Sequence, residues 1–188
     1  QEMSRGLGDV YKRQVYNSDI FIISTGSIPK NPKNIMPDNN IIYDSDGILQ
    51  LSNLPKSILI VGGGYIGIEF AFFFNSLGSE VTIVEDQKSI LSVMDTEIIN
   101  ELKKNFKGKG IKIEENSKVS INKKNENHID VNINKSKFFY EKILVATGRQ
   151  PLTEGLDIES LDIKLNNKNF IITDSNYKTN IENIFAIG

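Results

Sequence analysis

The sequence has 188 residues, a formal net charge of -2, one His and neither Cys nor Trp, which suits one ordinary soluble domain or one domain with pieces of another. With 39% hydrophobic and 24% charged residues, it is neither a disordered chain nor a membrane protein by composition. The near-neutral balance, broken only by short runs such as Lys103-Lys104 and Lys123-Lys124, argues against a nucleic-acid binder, and the lack of Cys excludes disulfide frameworks, thiolate catalysis and zinc ribbons within these residues.

Residues Gln1 to Gln14 hold two of the three Arg, Arg5 and Arg13, and none of the many Asn that follow. The segment from Met3 to Gln14 resembles translated sequencing-adapter sequence, so residues 1–14 are read as a non-native tail and left out of the fold; a native but unusual tail is the alternative. No apolar segment followed by small residues marks a cleavable signal, and a cytoplasmic location is expected.

From Asp19 the pattern becomes legible. Ile20 to Ile23 is a short apolar run ending in a Gly/Pro turn, as a buried strand would. Pro32 and Pro37 mark a crossing segment, and Asp44 to Asp46 can cap a helix before Ile48, Leu49 and Leu51. Ser57 to Val61 reads as a second buried strand that opens into a glycine cluster. Tyr65 to Leu77 carries Ile66, Phe70, Phe73, Phe74 and Leu77 at helical spacing, with Gly78 placed to end the helix. The whole stretch from Ser57 to Phe74 is about as long as a membrane span requires, but four glycines and Glu69 inside it argue against one. Val81 to Val84 is the next strand. Asp95 to Phe106 reads as a helix with Ile98, Ile99, Leu102 and Phe106 on its apolar face, stopped at Gly108 and Gly110. Ile111 to Ile113 is a short strand, the alternation at Ile129, Val131 and Ile133 followed by Phe138 to Tyr140 is an antiparallel ribbon, and Ile143 to Ala146 is a buried strand. The order is βαβαβ followed by a β-meander, an α/β fold of Rossmann type.

Gly62-x-Gly64-x-x-Gly67 follows a strand and opens a helix, the context that a dinucleotide fingerprint requires. Gly62 permits the tight turn, Gly64 lets backbone approach a pyrophosphate, and Gly67 allows close contact of helix and strand. The pyrophosphate then sits at the positive end of the helix. Val81 to Glu85 supplies a second strand ending in an acid eighteen residues after Gly67, where a ribose diol would be bound. A carboxylate there accepts from both ribose hydroxyls and repels a 2'-phosphate, so NAD is favoured over NADP; Asp86 could share that role. Glu69 stands one turn into an apolar helix, where a buried carboxylate needs a partner. Either the helix N-terminus alone holds it or it pairs with a cation near a nicotinamide.

Ile23-Ser24-Thr25-Gly26-Ser27 with Pro29, Gly62 to Glu69, Val84-Glu85, Val145 to Pro151 and the ending Asn183 to Gly188 stand in an order that resembles the FAD-dependent pyridine nucleotide-disulfide oxidoreductases. The resemblance covers about Asp19 to Gly188. It implies a Rossmann-like NAD-binding domain, residues 41–148, inserted in a partial FAD-binding domain made of residues 15–40 and 149–188 and bounded by two Thr-Gly turns. It also implies that Thr25, Gly26 and Ser27 lie near FAD, that Gly62, Gly63, Gly64, Tyr65, Ile66, Gly67, Glu69 and Glu85 hold NAD, and that Val119 and Gly148 line the adenine and nicotinamide ends. Glu69 matches the glutamate that pairs with a flavin-side lysine and is the candidate catalytic residue. The family's FAD fingerprint, redox cysteines and dimerisation domain have no counterpart here, so the chain reads as a fragment that binds NAD but does not turn over, from a parent expected to be a homodimer. His128 lies in a polar ribbon and reads as a solvated loop residue.

Ile42 to Leu49 and Met94 to Ile98 look most like soluble transhydrogenase, which uses NADP as well as NAD, whereas Tyr65 to Ala71 and Arg149 to Thr153 are at least as similar to dihydrolipoamide dehydrogenase. The reading leans to the first. A rival of another class is a non-catalytic NAD-binding module that no flavin ever joins.

Overall fold

The computed structural model describes residues 16–188, so the expectation for residues 1–14 lies outside the described residues. Residues 29–149 form one compact unit, and residues 16–28 with 150–188 form another.

The central unit is built on five parallel strands. In chain order they are β3 (Ile42–Asp44), β4 (Ser57–Val61), β5 (Glu80–Val84), β6 (Lys112–Glu114) and β10 (Lys142–Val145). They lie side by side in the order β3-β10-β4-β5-β6, with Ile58 to Val61 matched to Val81 to Val84 on one side and to Lys142 to Val145 on the other. Helix α1 (Tyr65–Ser76) joins β4 to β5, and α2 (Thr96–Gly108) joins β5 to β6. Between β6 and β10 runs an antiparallel meander of β7 (Val119–Lys124), β8 (Ile129–Ile133) and β9 (Ser136–Tyr140).

The sheet is apolar on both faces, which is why its strands read as unbroken hydrophobic runs. Ile58, Ile60, Val81, Ile83 and Leu144 pack with Ile68, Ala71 and Phe74 of α1 and with Ile99 and Phe106 of α2. Leu59, Val84, Ile143 and Val145 point the other way, onto Val119, Ile129, Val131 and Ile133 of the meander. Alternate residues of one strand thus serve two cores.

Helix α2 begins at Asp95, whose carboxylate accepts from the Glu97 N–H at 2.8 Å, and closes through the left-handed Gly110 (φ +79°). Asp44 caps the short 3-10 turn at Gly47–Gln50 by accepting from the N–H groups of Asp46 and Gly47. The central unit also takes in residues 29–40, twelve residues more than the boundary expected at Ile41. Ile35 is 2% exposed in the meander-side core, and Asp38 accepts from the N–H groups of Asn40, Ile41 and Ile42.

The other unit has β1 (Phe21–Ile23) and β12 (Ile184–Ala186) in parallel register, over a small core of Ile158, Ile163 and Ile184. Two expectations on buried faces are corrected. Ile20 lies just before β1 and is exposed, and Ile22 is exposed because only the Phe21 and Ile23 face of its two-stranded sheet packs on the small core. In α1 the core face is Gly67, Ile68, Ala71 and Phe74, while Phe73 and Leu77 are exposed; in α2 Ile98 is exposed as well. Strand β7 and the short β2 (Ser27–Pro29), β3, β11 (Arg149–Pro151) and β12 add to the expected elements. Among the described residues, no helix is long and apolar enough to cross a membrane.

Candidate functional site

The strands β4, β5 and β6 run outward from β4 in one direction, and β10 lies on its other side. The chain therefore reverses its order between β4 and β10, and a crevice opens at the carboxyl ends of those strands, where open α/β sheets bind ligands. A cavity of about 660 Å³ occupies that place, within the size range of small-molecule sites.

Its floor is the glycine-rich turn. Gly62 has φ +112°, and a Cβ there would collide with the carbonyl of Ala146 at the end of β10. A Cβ on Gly67 would collide with the Gly62 carbonyl oxygen, so only glycine lets α1 start this close to β4. At Gly64 a Cβ would meet nothing within 4 Å, since that residue borders the cavity itself. Gly64 is the N-cap of α1 and offers no side-chain cap, leaving first-turn N–H groups beside the cavity without intrahelical acceptors.

Glu85, half-buried at the end of β5, holds the turn from the far side. Its Oε2 accepts from the Gly63 N–H at 2.6 Å, and its Oε1 accepts from the Gln87 N–H at 2.8 Å. An ionised carboxylate has about four acceptor positions, so lone pairs remain for a diol at the cavity wall. The residues present fit a dinucleotide: a close-approach cradle with uncapped helical N–H groups, and a fixed acid one strand away.

Of the residues singled out in the sequence, Gly62, Gly64, Tyr65, Ile66, Glu85, Val119 and Gly148 line the cavity. Gly63 and Gly67 are buried beneath it. Glu69 does not line it: contrary to the expected buried carboxylate, its side chain is exposed and has no hydrogen-bond or ion-pair partner among the described residues. The turn of α1 that puts Gly67 and Ile68 on the sheet puts Glu69 on the outer face. Thr25, Gly26 and Ser27 belong to the other unit, where the Thr25 hydroxyl donates to the Leu152 carbonyl at 2.6 Å and Gly26 (φ +72°) accepts from the Leu152 N–H. His128, in the β7–β8 turn, has its Nε2 2.9 Å from the Asn125 side-chain amide and 3.3 Å from the carboxylate of Asp130 on β8.

The cavity also takes in Asn34, Gln87, Ser117 and Lys118, which no motif in the sequence marks. Ser117 and Lys118 follow β6, and their N–H partners, the carbonyl of Glu85 and the side chain of Asn134, fold this segment back over the end of β5. The signal for them is positional: the residues just past each parallel strand are the ones that reach such a crevice. At the opposite end Arg149 donates to Asp46 at 3.1 Å and to the Ser45 hydroxyl at 3.3 Å.

A family profile for pyridine nucleotide-disulphide oxidoreductases matches residues 5–188. The chain belongs to that family. Among curated relatives, mitochondrial dihydrolipoyl dehydrogenase from Schizosaccharomyces pombe is 36% identical over 93% of the chain and 35% of the relative. A soluble pyridine nucleotide transhydrogenase from Pseudomonas aeruginosa is 34% identical over 91% of the chain and 37% of the relative. Among solved structures, the HOCl-induced flavoprotein disulfide reductase RclA from Escherichia coli superposes with a TM-score of 0.81 at 34% identity, covering 89% of this chain and 39% of that one. The chain thus spans little more than a third of the length of each of these three relatives.

Proposed function

We propose that the central unit is the NAD-binding part of a flavoprotein oxidoreductase that passes hydride between NAD(P)H and bound FAD. The observation that carries this reading is one crevice, at the switch point of a parallel sheet, that holds the Gly62–Gly67 turn, the uncapped start of α1 and the Glu85 carboxylate together. Gly62 to Gly67 and the first turn of α1 would take the pyrophosphate, Glu85 the adenosine ribose, the Val119 end the adenine, and the Gly148 end the nicotinamide. The hydride chemistry is that of the bound nicotinamide and flavin. The chain's own part is to hold the dinucleotide extended and to keep its reactive end in one place.

Thr25, Gly26 and Ser27 are proposed to face the flavin in the whole protein, and Glu69 to pair there with a cation supplied by another part of the polypeptide. The exposure of Glu69 supports that role, because a carboxylate on the outer face of α1 is available to a later partner.

The resemblance at Ile42 to Leu49 and Met94 to Ile98 favours a soluble transhydrogenase. A disulfide-reducing dehydrogenase is the second reading, favoured by Tyr65 to Ala71 and by the 36% identity to a dihydrolipoyl dehydrogenase. Titrating the chain with NADH and with NADPH tests the site: NADH should bind more tightly, and Glu85→Ala should narrow the ratio of the two affinities. An unchanged ratio would defeat the ribose assignment. In the complete protein, NADPH-to-NAD hydride transfer without lipoamide reduction would support the transhydrogenase, and the reverse pattern would replace it with the dehydrogenase.

A further inference from the structure

Behind the glycine-rich turn, and outside the cavity, lies an ion pair. The Glu115 side chain, just past β6, is 22% exposed and that of Lys103, on α2, is 28% exposed. Glu115 accepts from the Lys103 Nζ at 2.7 and 2.8 Å and from the Ile90 N–H at 2.7 Å, while Lys103 also donates to the Ser89 hydroxyl. Burial alone would raise the Glu115 pKa, but the Lys103 hydrogen bond and charge, the Ile90 N–H and Ser89 outweigh it and hold the carboxylate ionised.

The segment that this carboxylate grips is the one that holds Gly63. The Ile90 side chain is fully buried against the α-carbon of Gly63. The next N–H, that of Leu91, donates to the Gly63 carbonyl at 2.9 Å. Leu91 has φ +48°, a backbone conformation that a leucine keeps only when its surroundings enforce it. The Gly63 N–H, in turn, donates to Glu85. The residue at the centre of the turn is thus clamped at its N–H by Glu85 and at its carbonyl by Leu91.

We propose that Glu115, oriented by Lys103, positions the glycine-rich turn for dinucleotide binding by fixing the main chain of Ile90 and Leu91. Both are positioning residues, since neither lines the cavity, and the inference rests on the dinucleotide reading of that cavity. Without the carboxylate the Ile90 N–H loses its acceptor, Leu91 is free to leave its left-handed conformation, and the Gly63 peptide is no longer set before the ligand arrives. Ordering it on binding then costs affinity.

The test titrates the 188-residue chain with NADH and records the amide resonances of Gly63 and Leu91. Glu115→Ala should weaken NADH binding about tenfold, a loss of the size expected when a segment must be ordered on binding, and should shift both resonances. Glu115→Gln keeps, in one carbonyl oxygen, an acceptor for both the Ile90 N–H and the Lys103 Nζ that orients it, and loses only the charge, so it should restore the affinity and the resonances even if its melting temperature stays low. That separation is what a merely structural role would not give. Unchanged binding by Glu115→Ala overturns the proposal, as does an affinity that follows the melting temperature through both variants. If Glu115→Ala does not fold, Lys103→Met carries the test: a weaker affinity with a shifted Gly63 amide supports the proposal, and no change in either overturns it. A wild-type chain that gives no NADH isotherm overturns the dinucleotide reading together with this proposal, whereas binding indifferent to position 115 overturns the proposal alone.

Discussion

A methyl group at residue 67 would run into the carbonyl oxygen of Gly62 and crowd Ile60, so α1 can approach β4 only with this glycine turned to the strand. Gly67→Ala should therefore destabilise the central unit by about 1–3 kcal/mol, the ordinary cost of overpacking, read from urea denaturation. Gly64→Ala should behave in the opposite way. Its φ of -77° suits any L-residue and its Cβ would meet open space, so stability should move by no more than about 0.5 kcal/mol. NADH affinity, measured by titration, should nevertheless fall by about tenfold, equal to about 1.4 kcal/mol of lost close approach. Asp38 gives a pH-dependent expectation. Burial raises its pKa, but the Lys124 ammonium at 2.7 Å and the N–H groups of Ile42, Ile41 and Asn40 outweigh that and hold it well below the ordinary carboxylate range. A group depressed on folding contributes stability above its unfolded value, near pH 4, and loses it as the pH falls through the folded one. Asp38→Asn should lower the urea midpoint at pH 7, and the gap from wild type should shrink as the pH is taken from 4 towards 2.

At the scale of elements, the meander supplies a clean comparison of faces. Ile129 on β8 is fully buried against the sheet, whereas Phe139 on β9 is 73% exposed. Ile129→Ala should cost about 2–5 kcal/mol, and Phe139→Ala should stay within about 0.5 kcal/mol of wild type, both by denaturant titration. The elements that could be read from the sequence were those with an uninterrupted signal. The apolar runs of β4, β5 and β10, the capped helix α2 and the alternation of β8 all stand where residue chemistry puts them. Strand β7 escaped because its register shifts between Ile121 and Lys123, which breaks the period of two after a single repeat. Strands β2, β3, β11 and β12 have three residues each, too few for any period to show. In α1 the difficulty was excess: apolar residues surround the helix, so periodicity could not choose its inner face, and the fit of Gly67 against Gly62 chose it instead. The site divides in the same way. The glycines and Glu85 announce themselves by spacing, while Asn34, Gln87, Ser117 and Lys118 sit in irregular segments that only the strand order brings together.

For the whole molecule, every residue lining the cavity lies between Pro32 and Arg149, inside the central unit. A polypeptide of residues 29–149 should therefore bind NADH with a dissociation constant within about threefold of the 188-residue chain, a difference of about 0.7 kcal/mol, measured by calorimetry. The division into units also bears on the order of events in folding. Residue 21 must find residue 184 to form the β1–β12 pair, and in an open chain the entropy of closing so long a loop opposes the search. Within the central unit, however, the Lys30 N–H donates to the Gly148 carbonyl at 2.9 Å and the Thr147 hydroxyl to the Lys30 carbonyl, so folding of that unit brings its own two ends together. The loop left to close then runs only through residues 21–30 and 148–184. The insertion acts as the staple of the segments that flank it, and pulse-labelled hydrogen exchange should find the amides of β4, β5 and β10 protected before those of β1 and β12.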